Sequence, residues 1–339
     1  METLRLTDSA ADLQIAADLL RRGELVAFPT ETVYGLGANG MSEQAVAKIF
    51  AAKGRPVDNP LILHIADIHE LRHITKPLPE MAKRLVKAFW PGPLTLVLDS
   101  LEGVPINVTA GLRTVAVRMP SLPVANRLIE LAGMPIAAPS ANTSGKPSPT
   151  CVRDVLEDLN GKVAAIISSD YVDVGLESTV LDCTCSPPKL LRPGGITVDQ
   201  IQAVVGAIDI DASIDTGRAV ATPKSPGMKY KHYAPQAKMY VLENMSIEAM
   251  REYLQDKSTD AQVGLLVSSE LAGKLISVQA KVQTWSNQRE LAQRLYSSLR
   301  EFDRSGLSVI YAQGVPPEGL GLAIMNRMRK SAGFNIVRG

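Results

Sequence analysis

The sequence predicts a mixed α/β protein of two domains, and three observations predict it. A chain of 339 residues with 45% hydrophobic content can bury a substantial core and exceeds the usual span of one domain. Short apolar runs alternate with segments of helical period, the pattern of a sheet covered by helices. That alternation lapses between residues 208 and 236 and then resumes. The expected division is a first domain over 1–207, a linker over 208–236 and a smaller α/β domain over 237–339.

In chain order, DSAADLQIAADLLRRG from Asp8 reads as an amphipathic helix with Ala11, Ile15, Leu19 and Leu20 on one face and Gly23 as its stop. ELVAF follows as a buried strand. SEQAVAKIFAAKG is the next helix, with Ser42 as N-cap and Gly54 as terminator. LILHI is a strand, and strand-like runs recur at Leu94 to Leu98, Val115 to Arg118, Ile136 to Ala138, Ala164 to Ile167 and Thr179 to Asp182. Helical stretches around Pro79 to Phe89, Val124 to Leu131 and Cys151 to Leu159 separate them. Beyond the linker, AKMYVLE, SIEAMREYLQ, QVGLLVSS, NQRELAQRLYSSLREFDRSG, LSVIYAQ and GLGLAIMNRMRKSAG alternate strand and helix again. The linker's KYKHYAP interleaves cations with aromatics, unlike a passive Gly/Ser spacer; two tyrosines packed on a domain surface fit its composition equally well.

Composition excludes several classes. A net charge of +1 provides no long-range field to hold a polyanion. Cys151, Cys183 and Cys185 cannot make a disulfide framework and fit a reducing compartment. The first residues lack the apolar core of a signal peptide, and no run approaches the roughly 18 apolar residues of a span. A cytoplasmic protein with no membrane partner is expected.

Two motifs mislead by spelling. Gly35, Gly37 and Gly40 form G-x-G-x-x-G, but PTETVY separates them from the preceding strand, and the region that should carry a ribose-binding acid holds Lys53 and Arg55 before Asp58. HELRH, from His69 to His73, matches a zincin pattern, but Pro77 limits the helix and no third ligand is near. No metal ligand set is expected.

The remaining polar clusters follow strands: PTETVYGLG, KGRPVDNP, RMPSLP with PSANTSGKPSPT, and LRPGG. Lys53, Arg55, Arg118 and Arg192 are expected to meet at one cleft beyond the strand ends, where open α/β sheets bind ligands. Arginine forks and lysine ammonium groups grip phosphate or carboxylate, and small hydroxyls complete the cradle. In PTETVYGLG, Thr30 and Thr32 supply hydroxyls, and Gly35 and Gly37 allow close approach of a ligand; a tight turn with no ligand fits that stretch equally. No nucleophile–base pair is evident, so catalysis would rest on positioning and charge stabilisation.

Together, PTETVYGLG, KGRPVDNPLILHI, FWPGPLTLVL, VAVRMPS, PIAAPSANTSGKPSPT, ESTVLD and LLRPGGIT resemble the YrdC-type threonylcarbamoyl-AMP synthases. SPGMKYKHYAP and GLGLAIMNRMRKSAG resemble the longer, two-domain branch of that family. The resemblance implies a twisted mixed sheet flanked by helices, a Rossmann-like second domain, and an ATP-dependent nucleotidyltransferase. L-threonine, bicarbonate and ATP would give threonylcarbamoyl-AMP and diphosphate, the first step of t6A37 formation in tRNA. A downstream threonylcarbamoyl-transferase complex would take the product, with tRNA contact indirect or weak at most. By similarity Thr32, His64, Arg118, Ala138 and Ser178 bind threonine. Asn59, Thr114, Ser140, Asn142, Ser148 and Arg192 bind the nucleotide, with Lys53 and Arg55 on its phosphates as the catalytic cations. Mg²⁺ arrives with ATP, and no permanently bound cofactor is expected. The linker becomes a lid, with Tyr230 and Tyr233 across the cleft and Lys229, Lys231 and His232 near phosphate. The other readings weighed are a noncatalytic RNA-binding module and a carbamoyl-adenylate enzyme of hydrogenase maturation; the latter should carry zinc-finger-like cysteines, missing here.

Overall fold

The computed structural model describes residues 2–168, 173–216, 224 and 233–339. It divides into two compact units, one of residues 1–144 and 148–230, the other of residues 145–147 and 231–339.

The first unit's strands are β1 (Leu4–Leu6), β2 (Val26–Phe28), β3 (Gly35–Asn39), β4 (Ile62–His64), β5 (Leu94–Asp99), β6 (Thr114–Arg118), β7 (Ile136–Ala137), β8 (Ala165–Ile167), β9 (Thr179–Asp182), β10 (Lys189–Arg192) and β11 (Asp209–Ile210). Among the described residues they form one mixed sheet in the order β1-β8-β2-β3-β7-β4-β6-β5-β9-β10-β11. The expected strands and helices lie where the periodicity put them. Helix Glu43–Lys53 starts on the Ser42 side chain and stops at Gly54 in the left-handed conformation.

Two local expectations are corrected, and HELRH forms the short helix expected of it. Helix Ala10–Arg21 buries Leu13, Ala16, Ala17 and Leu20, while Ile15 is exposed. Its small Ala16 and Ala17 join Leu13 and Leu20 in the core shared with Val124, Ala125 and Leu128 of helix Pro123–Ala132. G-x-G-x-x-G is no ligand loop: Gly35 and Gly37 belong to β3, paired antiparallel with β2. A Cβ on Gly37 would come within 2.9 Å of Phe28 and 3.0 Å of Ile136. These glycines admit neighbouring side chains, not a ligand. HELRH spans a short 3₁₀ helix, Ile68–His73, whose Glu70 accepts from the Ala66 and Asp67 amides in a capping box.

The second unit's strands are β12 (Lys238–Glu243), β13 (Val263–Ser268), β14 (Lys281–Trp285), β15 (Val309–Gln313) and β16 (Ile336–Arg338), all parallel, in the order β14-β13-β15-β12-β16. Helix Ile247–Gln255 supplies Met250 and Leu254 to its core. This is the expected smaller α/β unit. Among the described residues no helix is long and apolar enough to cross a membrane, and the three cysteines are free thiols.

Candidate active site

On the first unit's sheet, the alternating pleat and strand register decide which side chains share a row. His64, Arg118 and Thr95 stand in register on β4, β6 and β5. Two residues along, Ile62, Ala116 and Val97 form the next row of that face; with Val180 and Leu191 they make an apolar cluster drawn wholly from strands. A further step along β6 reaches Thr114, roughly 13 Å from Arg118 by strand rise. The candidate site is therefore an apolar floor with a polar group at either end.

The first polar group centres on Arg118. Its Nη1 donates to Thr32 Oγ1 at 2.9 Å and its Nε faces Gly92 O at 3.4 Å. Thr32 is aimed by its own turn, in which Thr30 Oγ1 bonds Val33 O at 2.7 Å and takes the Thr32 and Val33 amides. Thr30 therefore builds the turn. Arg192, at the end of β10, donates through Nε to Ser178 O at 3.0 Å and through Nη2 to Ser178 Oγ at 3.1 Å. Ser178 Oγ also meets Thr95 Oγ1 at 2.8 Å. Gly194 lets the LRPGG turn close on this segment, since a Cβ there would strike the Thr179 amide at 2.3 Å. Burial first, and the Arg118 charge second, push the His64 imidazole down to about 3. It is neutral near pH 7 and adds no second positive charge beside Arg118.

The second group gathers around Asn59. Lys53, the buried last residue of its helix, donates to Ser140 O at 2.5 Å and Asn142 O at 2.6 Å. Arg55 Nη2 donates to Asn59 O at 3.1 Å and Pro60 O at 3.2 Å. Ser140 Oγ donates to Asn142 Oδ1 at 2.5 Å, and Ser148 Oγ to Glu177 Oε1 at 2.5 Å. Ala138, whose amide donates to Ile62 O at 3.0 Å, joins this side to β4. Asn59 is fully buried with neither amide atom hydrogen-bonded, and Thr114 Oγ1 is likewise unsatisfied. Orphaned buried polar atoms are costly.

By their hydrogen bonds the four cations fall into two sets. Arg118 and Arg192 share the Thr95–Ser178 end, and Lys53 and Arg55 the Asn59–Ser140 side. The rule of strand C-termini assumes parallel strands, whereas β5 runs antiparallel to β6, and β10 antiparallel to β9. The arginine end therefore mixes the ends of β4, β6 and β10 with the starts of β5 and β9. Tyr233 is stacked on Tyr296 at 5.3 Å with Arg327 over its ring at 5.5 Å, within the second unit. Tyr230, Lys229, Lys231 and His232 lie outside the described residues. Lys224 reaches back to Asp182 Oδ2 at 2.8 Å.

Sequence reasoning missed Glu31, Thr95 and Glu177 as members of these groups. Thr95 breaks an otherwise apolar LTLVL run, and Glu31 is the lone charge of FPTETVYGLGANG; both are signals. The Glu177 contact to Ser148 spans 29 positions and leaves none.

The Sua5–YciO–YrdC family model, described as telomere recombination, matches residues 18–194, and the C-terminal domain of threonylcarbamoyl-AMP synthase matches 196–333. A threonylcarbamoyl-AMP synthase of Pyrococcus abyssi is 49% identical over 331 residues, covering 96% of this chain and 95% of the relative. One of Bacillus subtilis is 50% identical over 335 residues, covering 97% and 96%. The crystal structure of P. abyssi Sua5 complexed with L-threonine superposes with a TM-score of 0.94 at 46% identity, covering all of both chains. With half of its length under one family model and two such relatives along nearly all of it, this chain belongs to the two-domain threonylcarbamoyl-AMP synthases.

Proposed function

We infer that this chain condenses L-threonine, bicarbonate and ATP into threonylcarbamoyl-AMP, diphosphate and water, the first step of t6A37 formation in tRNA. The observation that carries this reading is the grouping of Arg118, Thr32, His64, Thr95 and Ser178 around one end of the apolar floor. Arg118 takes the threonine carboxylate, and neutral His64 lies beside it with Thr32 and Ser178. Ala138 borders the same ligand.

The nucleotide lies across Ile62, Ala116 and Val97 toward Asn59, Thr114, Ser140, Asn142 and Ser148, with Arg192 completing its contacts. Lys53 and Arg55 act as the cationic side against which charge on the phosphates is offset as the carbamate oxygen attacks the α-phosphorus and the bond to diphosphate breaks. Lys53 also holds the carbonyls of Ser140 and Asn142, fixing that loop. Mg²⁺ enters with ATP, held by its phosphates and water. Residues 208–236 serve as the lid over the activated anhydride, Tyr230 included, shielding it from water; Tyr233, stacked on Tyr296, belongs to the second unit. The product passes to a threonylcarbamoyl-transferase complex in the cytoplasm, and tRNA contact with this chain is indirect.

Incubating the purified chain with ATP, bicarbonate and single amino acids while measuring diphosphate tests the reading. Release that requires threonine is expected; release independent of threonine would sink it.

A further inference from the structure

Glu31 is 2% exposed, in the turn between β2 and β3. Its Oε1 lies 2.6 Å from Arg118 Nη2. Despite this closeness, neither carboxylate oxygen nor Arg118 Nη2 has a hydrogen-bond partner, because the contact lies off the N–H direction. Arg118 spends its other nitrogens on Thr32 and Gly92. Its backbone is tied too, the Glu31 carbonyl accepting from the Val174 amide at 2.9 Å. One spot thus holds a buried positive and a buried negative group, each with open hydrogen-bonding capacity, beside the hydroxyl of Thr32.

Such a pair suits a particular ligand chemistry. A lone buried arginine would attract any carboxylate or phosphate. Glu31 offsets the Arg118 charge, so an acid without a positive charge gains less there than a zwitterion does. A zwitterion satisfies both partners, its carboxylate against Arg118 and its ammonium against the carboxylate oxygens. We propose that Glu31 is a specificity-determining residue that reads the α-ammonium of the amino-acid substrate while Arg118 reads its carboxylate. This rests on the assignment of the Arg118 end to threonine. Glu31 then also holds the nitrogen that becomes the carbamate.

Titration calorimetry without ATP, using L-threonine and (3R)-3-hydroxybutanoate, which is threonine without its amine, tests the idea. The unaltered chain should bind threonine at least ~10-fold more tightly, the difference made by a charge-assisted hydrogen bond. Glu31→Gln should weaken threonine by about 10- to 100-fold and leave hydroxybutanoate unchanged or tighter. If Glu31 merely props Arg118, both ligands weaken in proportion, and that outcome overturns the proposal. Equal binding of the two ligands by the unaltered chain overturns it without any variant. Should Glu31→Gln not fold, Glu31→Asp keeps the charge but withdraws it by one methylene. Selective loss of threonine affinity is then expected, and equal losses overturn the proposal. A chain that binds no threonine at all would instead refute the functional reading beneath it.

Discussion

Each unit buries arginines, and they are used differently. In the first unit Arg118 and Arg192 sit on a sheet face among Thr32, Ser178, Thr95, His64 and Glu31, with polar capacity left over at Arg118 and Glu31. In the second, Arg327 is fully buried in helix Leu320–Ser331, donates to Asn326 Oδ1 at 2.8 Å and covers the Tyr233 ring. Arg300 likewise gives Nε and Nη2 to Pro147 O, at 3.1 and 2.6 Å. Burial of a cation alone therefore does not mark a binding site. Surplus hydrogen-bonding capacity beside a small hydroxyl is seen at Arg118.

The largest effect should come from Arg118→Ala. It removes the carboxylate-binding group and leaves Glu31 buried without its counter-ion, a change that typically costs 3–5 kcal/mol. Threonine affinity should fall by more than ~100-fold while ATP affinity changes little; calorimetry with each ligand measures this. Equal losses for both would erase the distinction between the two ends of the apolar floor.

Arg327→Met should come second and act only on stability. Losing the cover over Tyr233 and the bond to Asn326 should cost about 2–4 kcal/mol, seen as a lower urea midpoint. Threonine affinity of the folded fraction should stay as it was. A selective loss of threonine binding would put Arg327 in the same class as Arg118.

The same contrast explains what could be read without coordinates. Helix ends were legible because their signals are local: Ser42 and Gly54 bound Glu43–Lys53 by side-chain capping and a left-handed turn. Arg118 and Arg192 stand out as cations that end apolar runs, whereas Ser178 enters only through the family resemblance. β3 escaped notice because its glycines read as a turn, whereas Phe28 and Ile136 demand their small size from across the sheet. Ile15 was placed inside on hydrophobicity, though the alanines of its helix face the core. Glu31 opposite Arg118 depends on a pairing 87 positions apart. Long-range register leaves no local trace.

The smallest of these effects is a pH dependence that belongs to the first unit alone. Burial, and then the Arg118 charge, hold His64 near 3 in the folded chain, against about 6.5 when exposed. As pH falls below 6.5 the unfolded chain takes up this proton first, so stability present above that pH declines progressively toward pH 3. Between pH 6.5 and 5 the loss should be about 2 kcal/mol. His64→Gln cannot titrate, so its unfolding free energy from urea titration should fall less than the parent's between pH 7 and pH 5, by that amount. Arg118→Met should leave most of the dependence in place, because desolvation is the larger cause and the arginine the lesser. If removing the arginine abolished it, the cations of this face would control the buried imidazole more strongly than its enclosure does, and the contrast between the two units would be electrostatic at root rather than one of unfilled hydrogen bonds.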